Sequence, residues 1–237
     1  RYANGEAVVS QAAAAVMSRA EAAVRRMPHR TDFVGWKRVG GRAEFRLSTI
    51  ALTDLAARFG IVPGDKRIHP QAERASSDFQ RGLLRGLFNA DGSVQGTQLK
   101  GVSVRLAQSD PDLLRAAQRM LLRQGIASTL YLERRPAGVR HLPDGRGGHA
   151  ASATRPQPEL GVPRQYLARF AERIGFGGTD KRARLAPALG AYRRSPTRGA
   201  FGAAVAALEP GGEADVFAVT VPGLNAFDAN GLYVPNC

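Results

Sequence analysis

The sequence predicts an α+β fold made of two related αβ units, followed by a shorter β-rich tail. Helical and strand periodicities alternate as far as residue 192. Residues 57–67 (ARFGIVPGDKR) recur as residues 172–182 (ERIGFGGTDKR), sharing Arg58/Arg173, Gly60/Gly175, Asp65/Asp180, Lys66/Lys181 and Arg67/Arg182. Two copies of one unit in a single chain suggest a pseudo-twofold molecule. Beyond a linker-like stretch at 193–199 (RRSPTRG), the texture changes to alternating apolar and polar residues.

Each element has its own signal. Residues 11–26 (QAAAAVMSRAEAAVRR) are rich in Ala, the best helix former, and read as a helix. EFRL at 44–47 alternates as a short strand. Residues 49–59 have helical spacing, and Gly60 is placed to stop them. Residues 77–89 form the next helix, capped by Ser77 or Asp78, with Phe79, Leu83, Leu84, Leu87 and Phe88 as its apolar surface. Strand 102–107 leads through Ser109, Asp110 and Pro111 into a helix that ends at Gly125, and 128–134 is again a strand. Residues 136–158, rich in Gly, Pro, Arg and His, read as a mobile loop, and 164–174 as a helix. In the tail, 214–221 (ADVFAVTV) and 227–234 (FDANGLYV) are β segments, with Asn230-Gly231 a two-residue hairpin turn.

Charge narrows the partners. Lys and Arg number 34 against 20 Asp and Glu, a formal net charge of +14. Such an excess raises the local concentration of a polyanion and speeds its capture, which points to nucleic acid. The single cysteine, Cys237, permits no internal disulfide and suits a reducing cytoplasm. No apolar run approaches the roughly 18 residues that a membrane span needs, so no membrane partner is expected.

The chemistry concentrates in residues 84–92, LRGLFNADG. Gly86 and Ala90 lie four apart on one helical face, where small side chains let a partner helix approach closely. Asp91 follows at the helix end, with Gly92 as chain breaker. This segment resembles the LAGLIDADG motif of homing endonucleases of the dodecapeptide type. The resemblance implies αββαββα-type repeats whose two motif helices cross at the twofold axis, each delivering one carboxylate. Two neighbouring carboxylates resist joint ionisation unless a cation lies between them. Mg²⁺, or another hard divalent cation held by Asp91, would polarise the phosphate and help activate water. Residues 66–70 (KRIHP) resemble the family's lysine block, with His69 an extra residue before the proline. By that resemblance Lys66 is an active-site lysine stabilising charge on the phosphate or leaving group, and its repeat partner Lys181 serves the other strand.

In such a fold the strands form a curved basic surface on double-stranded DNA. Strand residues read bases in the major groove, and rim cations hold phosphates. The DNA-binding candidates are Lys37, Arg38, Arg42, Arg46, Gln98, Lys100, Arg105, Arg134 and Arg135.

The last residues tell a second story. ADVFAVTVPGLNAFDANGLYVPNC resembles the C-terminal splicing blocks of an intein, the β strands of a Hint domain, with Asn236 the last intein residue and Cys237 the first residue of the host. An Asn side-chain amide can attack its own carbonyl, forming a succinimide and breaking the Asn236–Cys237 bond, while Cys is the nucleophile that first receives an acyl group. The sequence departs from that pattern at Pro235, where His is usual, at Ala218, and at Asn225-Ala226 before Phe227.

The expected division is therefore an endonuclease domain over 1–192, a linker over 193–199 and part of a splicing domain over 200–237. The resemblance further implies an amino-terminal splicing segment and a first motif helix lying upstream, with the first metal aspartate roughly fifteen residues before Arg1. With half of the metal site upstream, the fragment alone is expected to cut poorly. Two other readings stay open: a catalytically dead DNA-binding module of the same fold, or a fragment carrying the name of a host enzyme such as a cobalamin-dependent ribonucleotide reductase.

Overall fold

The computed structural model describes residues 2–235 apart from 4, 5, 64, 66, 98–100, 144–147, 155, 191–203, 216, 218, 221, 230 and 231. Strands β1 (Tyr2–Ala3) and β2 (Glu6–Gln11) precede helix α1 (Ala14–Val24). The expected helix from residue 11 thus begins later. Gln11 pairs with Phe45, and the Val8-Val9 pair favours extended backbone, so the Ala-rich run turns helical only after Ala13. Strands β3 (Lys37–Arg38) and β4 (Phe45–Ser48) follow, then helices α2 (Ile50–Arg58) and α3 (Pro70–Arg74). The Thr49 hydroxyl accepts from Leu52 N–H to start α2, and Gly60 takes φ +74° just past its end.

The second unit opens with helix α4 (Ser77–Asp91) and strands β5 (Gly92–Thr97) and β6 (Gly101–Ala107). Helix α5 (Pro111–Arg123) comes next, then β7 (Thr129–Arg135), β8 (Gly138–Pro143), β9 (His149–Thr154) and β10 (Gln157–Val162). A 3₁₀ turn at Arg164–Tyr166 leads into α6 (Leu167–Arg173), and α7 (Thr179–Gly190) closes the unit. The α4 cap is Ser76, whose hydroxyl accepts from Phe79 N–H, rather than Ser77 or Asp78, which lie inside the helix. Asp110 caps α5 as expected, accepting from Asp112 and Leu113 N–H.

The two sheets share one topology. The first is ordered β1-β2-β4-β3 and the second β5-β6-β10-β7, all neighbours antiparallel. Lobe 1 and lobe 2 are thus built on one strand plan, α1 corresponding to α5 and α2 to α6. The echo in the sequence holds in structure where those last two helices end: Gly60 and Gly175 both sit just past them with positive φ, at +74° and +62°. It then diverges, because Asp180 and Lys181 lie in the first turn of α7 while Asp65 lies in a loop.

The region 136–158 corrects the expectation of a loop. It holds the β8–β9 hairpin and the start of β10, an inner strand of the second sheet. Its Gly and Pro residues mark turns between strands whose partners lie far along the sequence. The expected strand at 214–221 is also corrected: no strand occurs among its described residues, and Phe217 is 87% exposed with no sheet to bury it. The tail does form a hairpin of β11 (Ala226–Ala229) and β12 (Leu232–Pro235), with Ala229 paired to Leu232; the expected turn residues Asn230 and Gly231 lie outside the described residues.

The main core lies in lobe 2. Alternation along β6 and β10 turns Val104, Leu106, Leu160 and Val162 inward, against Leu84 and Phe88 of α4, Leu114, Ala117 and Leu121 of α5, and Phe170 of α6. Phe88 meets the Phe170 ring edge-on at 4.9 Å. Lobe 1 buries less: Ala7, Val8, Val24, Leu47 and Ala72 are its buried apolar residues, and α2 buries none. Lobe 1 is joined to lobe 2 by the stacked rings of Phe59 and Phe79, 4.4 Å apart, and by Glu73 of α3, which takes two hydrogen bonds from Arg119 of α5 at 2.7 and 2.8 Å.

Candidate functional site

The site forms where α4 ends. Leu84 and Phe88 face the core, so helical geometry turns Gly82, Gly86 and Ala90 outward, and all three are exposed. No heavy atom lies within 4 Å of where a Cβ would stand on Gly82 or Gly86. The helix stops at Gly92, though not through a left-handed backbone, since its φ is −78°. Glycine is required there because a Cβ would lie 2.5 Å from the Phe88 carbonyl oxygen. The chain therefore passes straight from helix into β5 and leaves Asp91 exposed at the junction. Gln108, just past β6, donates from Nε2 to Asp91 Oδ2 at 2.6 Å.

The last turn of α4 is tied down from α7 and the segment before it. Lys181 Nζ donates to the carbonyls of Phe88, Asn89 and Ala90 at 3.2, 2.6 and 3.3 Å. A cation there adds to the Gly92 N–H bond that the Phe88 carbonyl already accepts, and opposes the negative end of the helix dipole. Burial pushes the Lys181 ammonium below the usual lysine value, and the charge of Asp91 acts against that shift. Asn89 Oδ1 accepts from Gly177 N–H at 2.7 Å, and a Cβ on Gly177 would stand 2.8 Å from Asn89 Nδ2.

Lys181 and Asp91 are thus brought together, 90 positions apart in sequence. Lys66, Gln98, Lys100, Asn236 and Cys237 lie outside the described residues. Beside Lys66, Arg67 is turned to Asp65, with Nη2–Oδ2 at 2.7 Å, and holds that carboxyl well below the usual aspartate range. His69 packs under Gly60, where a Cβ would come within 2.6 Å of the imidazole.

The basic candidates separate by environment. Lys37, Arg38 and Arg42 are exposed, and register places Lys37 beside Arg46. Arg46 donates from Nε to Glu44 at 3.1 Å, and Arg42 lies 3.8 Å from the same carboxylate. Arg105 donates to buried Glu159 at 2.9 Å and to Ser103 Oγ at 2.9 Å. Arg134 stacks 4.9 Å over the Tyr131 ring, 3.8 Å from the same Glu159. The side chain of Arg135 is not described. Pairing puts Ser93, Gln95, Ser103, Arg105, Tyr131 and Glu159 on the face of the second sheet turned away from the core.

Sequence reasoning missed Gln108, Asn89, Glu159 and Tyr131. The alternation of β10 (QPELGV) puts Glu159 opposite Leu160 and Val162 in facing, a usable signal once 157–162 is read as a strand. No comparable signal marks Gln108, whose role depends on β5 and β6 pairing.

For a metal, Asp91 supplies one exposed hard oxygen ligand. Among the described residues no group of three or more His, Cys, Asp or Glu is placed to hold an ion. The donor chemistry fits a hard divalent cation, and a complete site needs at least one further carboxylate or phosphate oxygen.

Comparison with known proteins finds similarities of three kinds. The pattern of the LAGLIDADG-like domain matches residues 78–175. Over 196 residues the chain is 26% identical to ribonucleoside-diphosphate reductase NrdEB subunit alpha of Bacillus subtilis, covering 81% of this chain and 18% of that protein. Over 178 residues it is 29% identical to a DNA polymerase of Thermococcus hydrothermalis, covering 73% of this chain and 10% of that one. The chain thus spans less than a fifth of the length of either relative. Among solved structures, I-DmoI in complex with DNA and Mn aligns over 72% of this chain and 80% of that one, at 17% identity and a TM-score of 0.44. Residues 78–175 of this chain are thus similar to a LAGLIDADG-like domain.

Proposed function

We propose that this chain is the endonuclease-bearing part of an intein, a DNA hydrolase that makes site-specific breaks in double-stranded DNA with a divalent cation, joined to a C-terminal splicing segment. The observation that carries the reading is the end of α4: an exposed Asp91 carboxylate beside the Lys181 ammonium, on a helix whose Gly82, Gly86 and Ala90 face is open to a second helix. A second such helix crossing there would bring a second carboxylate to the same scissile region. Mg²⁺, when bound by Asp91 and that partner, would supply phosphate polarisation and a more acidic water.

The chain's own residues then have distinct tasks. Asp91 is the metal ligand and catalytic carboxylate, held in direction by Gln108. All three donors of Lys181 are directed to carbonyls of α4, which favours a positioning role over direct contact with phosphate. Lys66 remains the candidate for stabilising charge on the phosphate. Lys37, Arg38, Arg42, Arg46, Gln98, Lys100, Arg105, Arg134 and Arg135 would contact DNA. Arg105 and Arg134, braced by Glu159, are suited to base readout, and exposed Lys37, Arg38 and Arg42 to phosphates.

Two relatives of unrelated chemistry, a reductase and a polymerase, each share this segment over a small part of their length. An element inserted into different host genes leaves that pattern, which supports the intein reading. Asn236 would cyclise by attack of its amide nitrogen on its own carbonyl carbon, the amine of Cys237 leaving with the proton. In the sequence Asn236 and Cys237 directly follow the β11–β12 hairpin, which ends at Pro235. Residues 1–192 and 200–237 would act as separate domains.

The test is Mg²⁺-dependent nicking of duplex DNA by the complete gene product, with Asp91→Asn as control. Cleavage lost in the variant with binding retained is expected. Tight binding without cleavage by the unsubstituted protein would instead favour a DNA-binding module, and absence of both would overturn the assignment.

A further inference from the structure

Two clefts on the molecule are lined by arginines, and they differ in what those arginines meet. One lies between α3 and α5. There Arg67 is paired with Asp65, Arg115 with Asp112 and Arg119 with Glu73, each at 2.7 Å, so its charges are matched. The other, of about 280 Å³, lies between α4, α6 and α7 and takes Arg19 from α1 of lobe 1. Arg85 donates from Nε to the Ile174 carbonyl at 2.5 Å, and Arg182 from Nη2 to the Phe176 carbonyl at 3.2 Å. Among the described residues, no Asp or Glu lines this second cleft, and none of its three arginines has a carboxylate partner. Its floor is apolar, with Ile174, Phe176 and Leu185 buried.

Three guanidinium groups around one cleft repel one another unless an anion lies among them, and guanidinium binds carboxylate through paired N–H donors. The apolar floor calls for a carboxylate carried beside an apolar side chain. The chain itself holds a segment of that chemistry. All 34 Lys and Arg lie before residue 199, whereas residues 199–237 contain Glu209, Glu213, Asp215 and Asp228 with no Lys, Arg or His. Residues 204–215 (AVAALEPGGEAD) are exposed throughout and form no helix or strand. Leu208, directly before Glu209, is 93% exposed. Reach permits the contact. Leu208 follows Gly190, the last residue of α7, by eighteen positions. A flexible chain of that length spans roughly 23 Å on average, whereas Arg182 to Gly190 covers only about 12 Å of helix. Such a tether holds its end at an effective concentration in the millimolar range, so even a weak contact is populated.

We infer that residues 204–215 dock in this cleft, with Leu208 on its apolar floor and the Glu209 carboxylate among Arg19, Arg85 and Arg182, forming an intramolecular interface between the tail and lobe 2. The contact bears on the end of α4. Helix α7 walls the cleft, and its Lys181 holds the last turn of α4 through three carbonyls. A docked tail therefore braces the clamp that sets the direction of Asp91. The inference does not depend on DNA cleavage.

The experiment measures distances between two spin labels by double electron–electron resonance in the full 237-residue chain. Cys237→Ser removes the single native thiol, and Ala183→Cys and Ala207→Cys, both at exposed positions outside the cleft, carry the labels. A narrow component shorter than the roughly 23 Å mean span of a free tether is expected. It should be lost in Arg19→Ser/Arg182→Ser and in Leu208→Ser/Glu209→Gln. The second pair lies in the exposed segment and decides the matter should the arginine variant fail to fold. Hydrogen exchange of the α7 amides should also be faster in Leu208→Ser/Glu209→Gln than in the parent. A broad distribution in the parent, unchanged by the tail substitutions, would overturn the docking. A short distance that survives both arginine substitutions would place the tail elsewhere and overturn the cleft as its site. A short distance between singly labelled chains mixed together would assign the contact to a second copy, and so overturn the intramolecular interface.

Discussion

Asp91 and Lys181 share one charge environment, so a change in one must register in the other. Burial holds the Lys181 ammonium below its usual value and Asp91 partly offsets this. Asp91→Asn should therefore lower the Lys181 pKa further, as followed by NMR titration of the side-chain nitrogen. An unchanged or raised value would mean the two charges do not interact. The linkage has a definite sign. Because the folded-state value is depressed, the unfolded chain binds the proton more tightly between the two values. This residue's contribution to stability then rises as pH climbs through that window and is lost as pH falls through the folded value. Gly92 is a purely steric case: Gly92→Ala forces a Cβ against the Phe88 carbonyl and should destabilise by about 1–3 kcal/mol in denaturant unfolding. A neutral outcome would show that the helix-to-strand junction can shift. At this scale the sequence was informative about chemistry. Asp91, Gly92 and Lys181 were all picked out by residue type and spacing, whereas Gln108 and Glu159 were not, because a lone Gln or Glu has no local signature of what it meets.

Helix limits follow local rules, and so are open to local tests. Asp110 accepts two N–H groups at the start of α5, and Asp110→Ala should cost about 1 kcal/mol. Thermal melts that stay put would show the cap is redundant with Pro111 at the first helical position. The strongly amphipathic helices α4 and α5 were readable because three- and four-residue apolar spacing survives in any sequence window. The strands of 136–162 were not, because Gly and Pro turn signals outweighed short runs whose pairing partners lie elsewhere. Conversely, ADVFAVTV has strand-like alternation yet none of its described residues is in a strand, since alternation stabilises a strand only where a sheet receives it.

Across the whole molecule, the unequal cores predict unequal stability. Lobe 2 encloses Leu84, Phe88, Leu106, Leu114, Leu160 and Phe170 without solvent contact, whereas α2 of lobe 1 buries nothing. Native-state hydrogen exchange should therefore show α1 and α2 amides opening at lower free energy than those of α4 and α5. Uniform protection would mean that the Phe59–Phe79 and Glu73–Arg119 contacts couple the lobes into one cooperative unit. The net charge of +14 belongs to this scale as well, predicting DNA affinity that falls steeply with salt.

The sequence by itself determined the helical faces, the cap at Asp110, the stops at Gly60 and Gly125, and the motif that ends in Asp91. These depend on neighbours within a turn or two of helix. Only the tertiary structure decided that Lys181 closes the last turn of α4, that Glu159 braces two arginines on the open sheet face, and that 138–154 is a hairpin. Each of those depends on residues far apart along the chain meeting across a sheet or between helices. Such encounters are selected by burial and pairing in the whole fold rather than by any local preference.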